Sequence, residues 1–378
     1  MKRALFIPLF FFAAAPVFGA AFGGGNLVVV QDGAGSVALS GAATAAFLDE
    51  FTTAGAVAQP AIPLPTAVSG ANKILTLAGS STSEGFLTLS ADGQYLTVGG
   101  YNQVVGTATP NTLIGNRTVA RVDMLGNIDT TTILGDGASI GNIRSVVSDN
   151  GTGIWVGSSA SGMRYTTFGS TGPSTQLNTT PVNVRVANIA SGQLYVSSAS
   201  LTFQGVATVG SGLPTTSGQT VTLLSGFPTA TGPSSYDYLF ANSSTLYVAD
   251  DRGTATGGGL QKWTLSGGTW SLAYTLTNAL TAGLRGLTGV ADGAGNELLY
   301  ATTADATSGT AGNKLVGITD SLGATTLPGA EVFATIATAA GNTAFRGVEM
   351  IPVVPEPQSL ALFGGFGMLA WSFIRRRK

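Results

Sequence analysis

Five times along this chain the same two-strand pattern returns, and few folds accept such a repeat. A charged residue opens a short apolar strand, a turn of Gly, Asp, Asn or Ser follows, and the next strand carries an aromatic side chain. Glu84 to Leu89 passes through Asp92-Gly93 into Tyr95 to Val98. Arg144 to Val147 passes through Asp149 to Gly151 into Ile154 to Val156. Arg185 to Ile189 passes through Ser191-Gly192 into Leu194 to Val196. Asp237 to Phe240 passes through Asn242 to Ser244 into Leu246 to Val248, and Arg285 to Val290 passes through Asp292-Gly293 into Leu298 to Tyr300. These turn residues tolerate positive φ, so each unit reads as an antiparallel hairpin.

Two more strand-like runs follow each hairpin. In the fourth unit they are Leu260 to Leu265 and Trp270 to Leu276, joined by Ser266 to Gly268. Four antiparallel strands per unit, at intervals of 41 to 60 residues, predict the blades of a β-propeller. A parallel β-helix needs shorter rungs without hairpins, and a sandwich has no need of one hairpin repeated. A sixth unit is divided between the two ends. Arg346 to Ile351 reads as an innermost strand, and Leu27 to Val30, Ala46 to Phe51 and Val57 to Leu64 supply its partners. Pairing 346–351 with 26–31 closes the ring and removes two sheet edges. The expectation is an all-β, six-bladed β-propeller over residues 22–352. Seven blades is the alternative, with Asn72 to Leu77 opening an extra unit.

Composition agrees. Only 10% of the 378 residues are charged and 54 are Gly, which suits short strands and tight turns rather than helices. Six of the 17 Lys and Arg lie at the extreme ends, and one of the 19 acids, Glu356, lies outside the body. The body therefore holds 11 cations against 18 acids, a net of −7, which argues against nucleic acid as a partner. There is no Cys and no His. Lacking His, the chain has neither the usual general base, nor the usual zinc ligand, nor any Ser-His-acid triad. Carboxylate chemistry and Ca²⁺ binding stay open, and no cofactor is expected.

The two ends read as addresses. Lys2-Arg3 precede an apolar run from Ala4 to Phe18, as in a secretory signal peptide over residues 1–21, cut after Gly19 or Ala21. At the other end, residues 353–378 hold Pro355-Glu356-Pro357, an uncharged run from Leu360 to Ile374, and Arg375-Arg376-Arg377-Lys378. As a helix the 15-residue run is roughly 22 Å long, a slightly short transmembrane helix. Positive charge at both extremes keeps both ends cytoplasmic and exports the middle. The order and spacing of the three parts resemble the PEP-CTERM sorting domain of Gram-negative bacteria. That resemblance implies processing by exosortase, a membrane-embedded transpeptidase-like enzyme, at Pro355, Glu356 and Pro357, with Arg375, Arg376, Arg377 and Lys378 as the basic stop. It further implies transit through the inner membrane to the cell surface or extracellular space, and a setting rich in exopolysaccharide.

Within the body, each inferred innermost strand opens with a charge: Glu84, Arg144, Arg185, Asp237, Arg285 and Arg346. First strands line a propeller's central channel, so these six are expected to form a ring at one mouth, four cations against two acids. One reading is a structural ring of Arg–carboxylate pairs. The other is an anion or sugar-acid site, since guanidinium forks suit carboxylate and phosphate. The Asp-Gly turns at Asp32, Asp92, Asp136 and Asp292 lack the alternating spacing of a Ca²⁺ loop and read as plain turns. Tyr95, Trp155, Tyr195, Tyr247 and Tyr300 hold a regular place in the second strands and read as packing between blades. The expected function is that of an exported, non-catalytic binding or structural module of the cell surface or matrix. The alternative is a propeller hydrolase or lyase acting on an anionic saccharide in the channel.

Overall fold

The computed structural model describes residues 20–112, 116–305 and 312–353. Six four-stranded antiparallel sheets stand around one axis. Blade one is Thr88–Leu89, Tyr95–Tyr101, Arg117–Asp123 and Ile128–Leu134. Blade two is Ile143–Ser148, Gly153–Ser158, Met163–Thr167 and Thr175–Gln176. Blade three is Ala187–Ala190, Gln193–Ser200, Phe203–Val209 and Val221–Leu223. Blade four is Ser235–Asn242, Thr245–Asp250, Gly259–Ser266 and Thr269–Leu276. Blade five is Leu284–Ala291, Asn296–Thr303, Lys314–Ser321 and Ala334–Thr338.

Blade six joins the two ends of the body. Its innermost strand, Ala344–Met350, pairs with Leu27–Asp32, which pairs with Ala46–Phe51 and then Val57–Pro63. Leu27 stands opposite Met350 and Gln31 opposite Phe345, so the closure expected from the sequence is present. The seventh blade is not. Leu77–Ala78 pairs with Ala43–Thr44 in a two-stranded ribbon on the crossing from blade six to blade one. Asn72 to Leu77 is too tied to that crossing to seed a sheet: the Leu75 amide donates to Pro65 and Thr76 bridges to Tyr101.

The core is divided into six apolar layers, one at each junction between neighbouring blades. That division explains the strand patterns. Inner strands are covered on both faces, so Leu27–Asp32 is almost wholly buried rather than alternating. The outermost strand Val57–Pro63 is mostly exposed and carries Pro60 and Pro63, which an edge position tolerates. Among the described residues no helix is long and apolar enough to cross a membrane. The expected signal run from Ala4 to Phe18, the transmembrane helix and the sorting residues Pro355, Glu356, Pro357, Arg375, Arg376, Arg377 and Lys378 lie outside the described residues.

Candidate functional site

The innermost strands carry a β-bulge at one level. In blade two the pairing shifts between Ile143 and Ser145, in blade five between Leu284 and Leu287, and in blade six between the partners of Val29 and Gln31. In blade three, Arg185 and Val186 both bond to Ser197. Arg144, Arg185, Arg285 and Arg346 each sit in their blade's bulge, where the local kink re-aims the side chain. In blade four the shift lies between Ser235 and Tyr238, and Tyr236 takes the arginine's place. In blade one that place falls to Gly85, whose carbonyl accepts from Gly347 as blade six meets blade one.

Glu84 and Asp237 therefore do not stand in the ring, which corrects the sequence-based alignment by one residue in each of these units. Asp237 is a joint between blades: its Oδ2 accepts the Leu287 amide at 3.0 Å. Elsewhere a hydroxyl does similar work, as when Ser145 donates to the Arg185 carbonyl at 2.8 Å and Thr302 to that of Arg346 at 2.7 Å. Glu84 is fully buried and accepts from the Ala78 amide, the Tyr101 hydroxyl and the Asn142 amide. Burial raises the carboxyl pKa of both acids, Asp237 to about 7.

Two other acids meet the arginines. Asp32, at the end of its strand, takes Arg346 Nη2 at 2.6 Å, with both side chains enclosed. Asp251, just past Thr245–Asp250, lies between Arg185 at 3.9 Å and Arg285 at 3.4 Å. Both distances exceed those of a close ion pair, so one carboxylate is loosely shared by two cations. Its side chain and those of Arg185 and Arg285 keep 15–17% exposure, so this cluster touches solvent. Arg144 donates to the Val184 carbonyl at 3.2 Å, while its buried Nε has no partner. Burial lowers its guanidinium pKa, and neighbouring Arg185 adds to that lowering.

Tyr236 organises the cluster. The Arg185 guanidinium lies 3.9 Å over its ring and that of Arg285 5.6 Å away. Across the axis, Phe86 of blade one meets the same ring at 5.5 Å. Blades one and four are opposite in a six-bladed ring, so these two rings close the channel. One mouth is thus a shallow cup of Arg144, Arg185 and Arg285 around Tyr236, with Asp251 as the carboxylate in contact. Three guanidiniums face Asp251 and, behind Arg144, the buried Glu84, whose carboxyl pKa burial raises, so the cup can hold a further anion.

The far ends of the inner strands form a different mouth, a cavity of about 1230 Å³ lined by blades one, three, four, five and six. Glu349 is on its wall, accepting from the Leu89 amide at 3.2 Å and Thr288 Oγ1 at 3.0 Å. Nothing in the sequence singled out Glu349, an interior residue of a strand, or Tyr236 and Asp251, neighbours of more regular positions. Of the second-strand aromatics, Trp155 is buried with its Nε1 on the Pro214 carbonyl at 2.8 Å, and Tyr247 bonds Asp320 of the next blade. Tyr195 and Tyr300 also reach the cavity. Of the Asp-Gly turns, Asp32 is taken by Arg346 and Asp136 by Arg164 at 2.8 Å, while Asp92 and Asp292 accept amides of their own turns. Among the described residues there is no cluster of three or more potential metal-ligating side chains.

No family model matches the chain, and none of the curated proteins does. Solved structures similar to it include the β-propeller domain of Cps50 (Swd1) from Myceliophteria thermophila, with 13% identity over 67% of this chain and 72% of that one, at a TM-score of 0.38. A Thermus thermophilus protein described as an oxidoreductase (glucose dehydrogenase) has 15% identity over 73% and 94%, at 0.40. A chain of the Mitotic Checkpoint Complex has 12% identity over 81% and 96%, at 0.41. The six-bladed architecture is read from the strand pairing itself.

Proposed function

We propose that this protein is an exported, non-catalytic binding module that holds an anionic group, the carboxylate or phosphate of a saccharide, at its arginine-lined mouth. The observation that carries the reading is the cup itself. Three arginines of different blades, each set in a bulge, surround one tyrosine ring with a single carboxylate in contact. A purely structural ring pairs each guanidinium closely, as Arg346 is paired with Asp32; this cup leaves Arg144 Nε without a partner. Glu84, the acid that acts on Arg144, is fully buried, and Asp251, the carboxylate that does touch solvent, is held between Arg185 and Arg285, which suits it to a binding site more than to a general base.

Export and sorting belong to the same proposal and rest on the two ends of the sequence. The signal-like start and the Pro-Glu-Pro, apolar and basic tail support delivery to the envelope by an exosortase-type enzyme, with exopolysaccharide as the partner there. Two measurements test this. Surface material analysed by intact mass is expected to lack the run from Leu360 onward; a mature form still ending at Lys378 makes the tail a plain anchor. The protein is expected to be retained by the producer's own exopolysaccharide and released by salt. Retention that ignores ionic strength, or its absence, overturns the anionic-saccharide reading.

A further inference from the structure

The wide mouth opposite the arginine cup has a chemistry of its own. Its wall is largely apolar, and rings stand close together there: Tyr195 and Phe240 at 4.7 Å, Phe240 and Trp270 at 6.0 Å. Among the described residues that line it, Glu349 is the one charged side chain, and no Lys or Arg is present. Glu349 is part-exposed to the cavity while protein encloses it on its other sides. A second acid, Asp237 of blade four, stands close enough for its charge to act on Glu349. The phenols of Tyr195 and Tyr300 are the other titratable groups in the wall. The guanidinium-bearing residue of the same strand, Arg346, is three positions earlier, about 10 Å away along the backbone, on the far side of the Phe86–Tyr236 closure.

An apolar cavity with aromatic walls and one unopposed carboxyl suits a particular ligand. Ring faces carry negative potential and attract cations, and hydrocarbon fills the remaining wall. We propose that this mouth binds an apolar organic cation, an alkyl- or arylammonium group, with its charge set against Glu349 and its hydrocarbon against Tyr195, Phe240, Trp270 and Tyr300. The volume of about 1230 Å³ leaves room for a chain of several carbons beyond the charged group. This site goes beyond the anion site and is independent of it, because the two mouths lie at opposite ends of the inner strands.

The test also separates a ligand-facing carboxyl from one that merely joins blades through Leu89 and Thr288. Burial, reinforced by Asp237, raises the Glu349 pKa to about 8, so its charge is largely absent at pH 6 and largely present at pH 9. The full chain is titrated calorimetrically with octyltrimethylammonium, whose charge is fixed, and with octanol as its neutral partner. At pH 9 the ammonium is expected to bind about tenfold tighter than octanol, and at pH 6 the preference shrinks. Glu349→Gln keeps the shape and one acceptor oxygen for the Leu89 amide, its NH2 turning toward the Thr288 hydroxyl, and is expected to abolish the preference at both pH values while octanol affinity stays unchanged. Equal affinities for the two probes in the parent at pH 9 overturn the proposal, as does failure of the ammonium to saturate. A preference that survives Glu349→Gln overturns the role of Glu349. The parent measurements stand whether or not the variant folds.

Discussion

Arg346 and Arg144 occupy equivalent bulges yet face opposite consequences of substitution. Arg346 is the buried partner of a buried Asp32. Replacing it with Gln strands that carboxylate and is expected to cost about 3–5 kcal/mol, seen as a lower midpoint in urea. Arg144 has a free Nε and one backbone acceptor, so Arg144→Gln is expected to change stability by about 1 kcal/mol or less while weakening anion binding. Equal stability losses in the two variants contradict this division. Two other residues predict a pH dependence. Burial raises Asp237 to about 7 and Glu349 to about 8, from ordinary values of 3.8 and 4.5. Between the ordinary and raised values the folded chain binds protons that the unfolded chain releases. Their contribution is complete below pH 4 and is lost as pH rises through 7 and 8. The melting temperature is therefore expected to fall by several degrees from pH 5 to pH 9, and Glu349→Gln is expected to flatten the fall. A body that is more stable at pH 9 than at pH 5 contradicts the sign.

At the scale of elements, closure depends on one strand. Ala344–Met350 pairs with Leu27–Asp32 and also meets blade one, where the Gly347 amide donates to Gly85 at 3.0 Å. A Cβ at Gly347 falls 2.0 Å from the Leu87 nitrogen, a backbone atom that cannot swing aside. Gly347→Ala is thus expected to destabilise by about 1–3 kcal/mol. Deleting Phe345 to Pro352 is expected to abolish cooperative melting. A deletion that melts like the parent shows that the ring does not need this strand. The strands were legible in the sequence because apolar runs and Gly- or Asp-rich turns state them directly. The residues of the mouth were less so. Alignment on charge put Glu84 and Asp237 in the ring, whereas the buried position two residues past the bulge aligns all six blades: Leu87, Val146, Ala187, Tyr238, Leu287 and Val348. Counting back from it finds Gly85 and Tyr236. Asp251 and Glu349 were hidden for another reason, since their roles arise from blades far apart in the chain.

At the scale of the whole molecule, the closed ring gives the channel two ends of opposite character. The Phe86–Tyr236 contact separates an arginine cup from an apolar cavity that carries one carboxyl. The division follows from position along the inner strands: the bulge residues Arg144, Arg185 and Arg285 stand at one end, and Glu349, three residues past the bulge residue of its own strand, lines the cavity at the other. Whether the arginine cup holds an anion is decided by a titration. The full chain is titrated with an oligomer of glucuronic acid at low and high salt, beside the double variant Arg144→Gln with Arg185→Gln and beside the neutral glucose oligomer. The acidic oligomer is expected to bind saturably and more weakly at high salt, the neutral one not at all, and the double variant, still melting cooperatively, at least about tenfold more weakly than the parent. Binding that is equal for both oligomers, or unchanged in the double variant, contradicts an anion site in the cup.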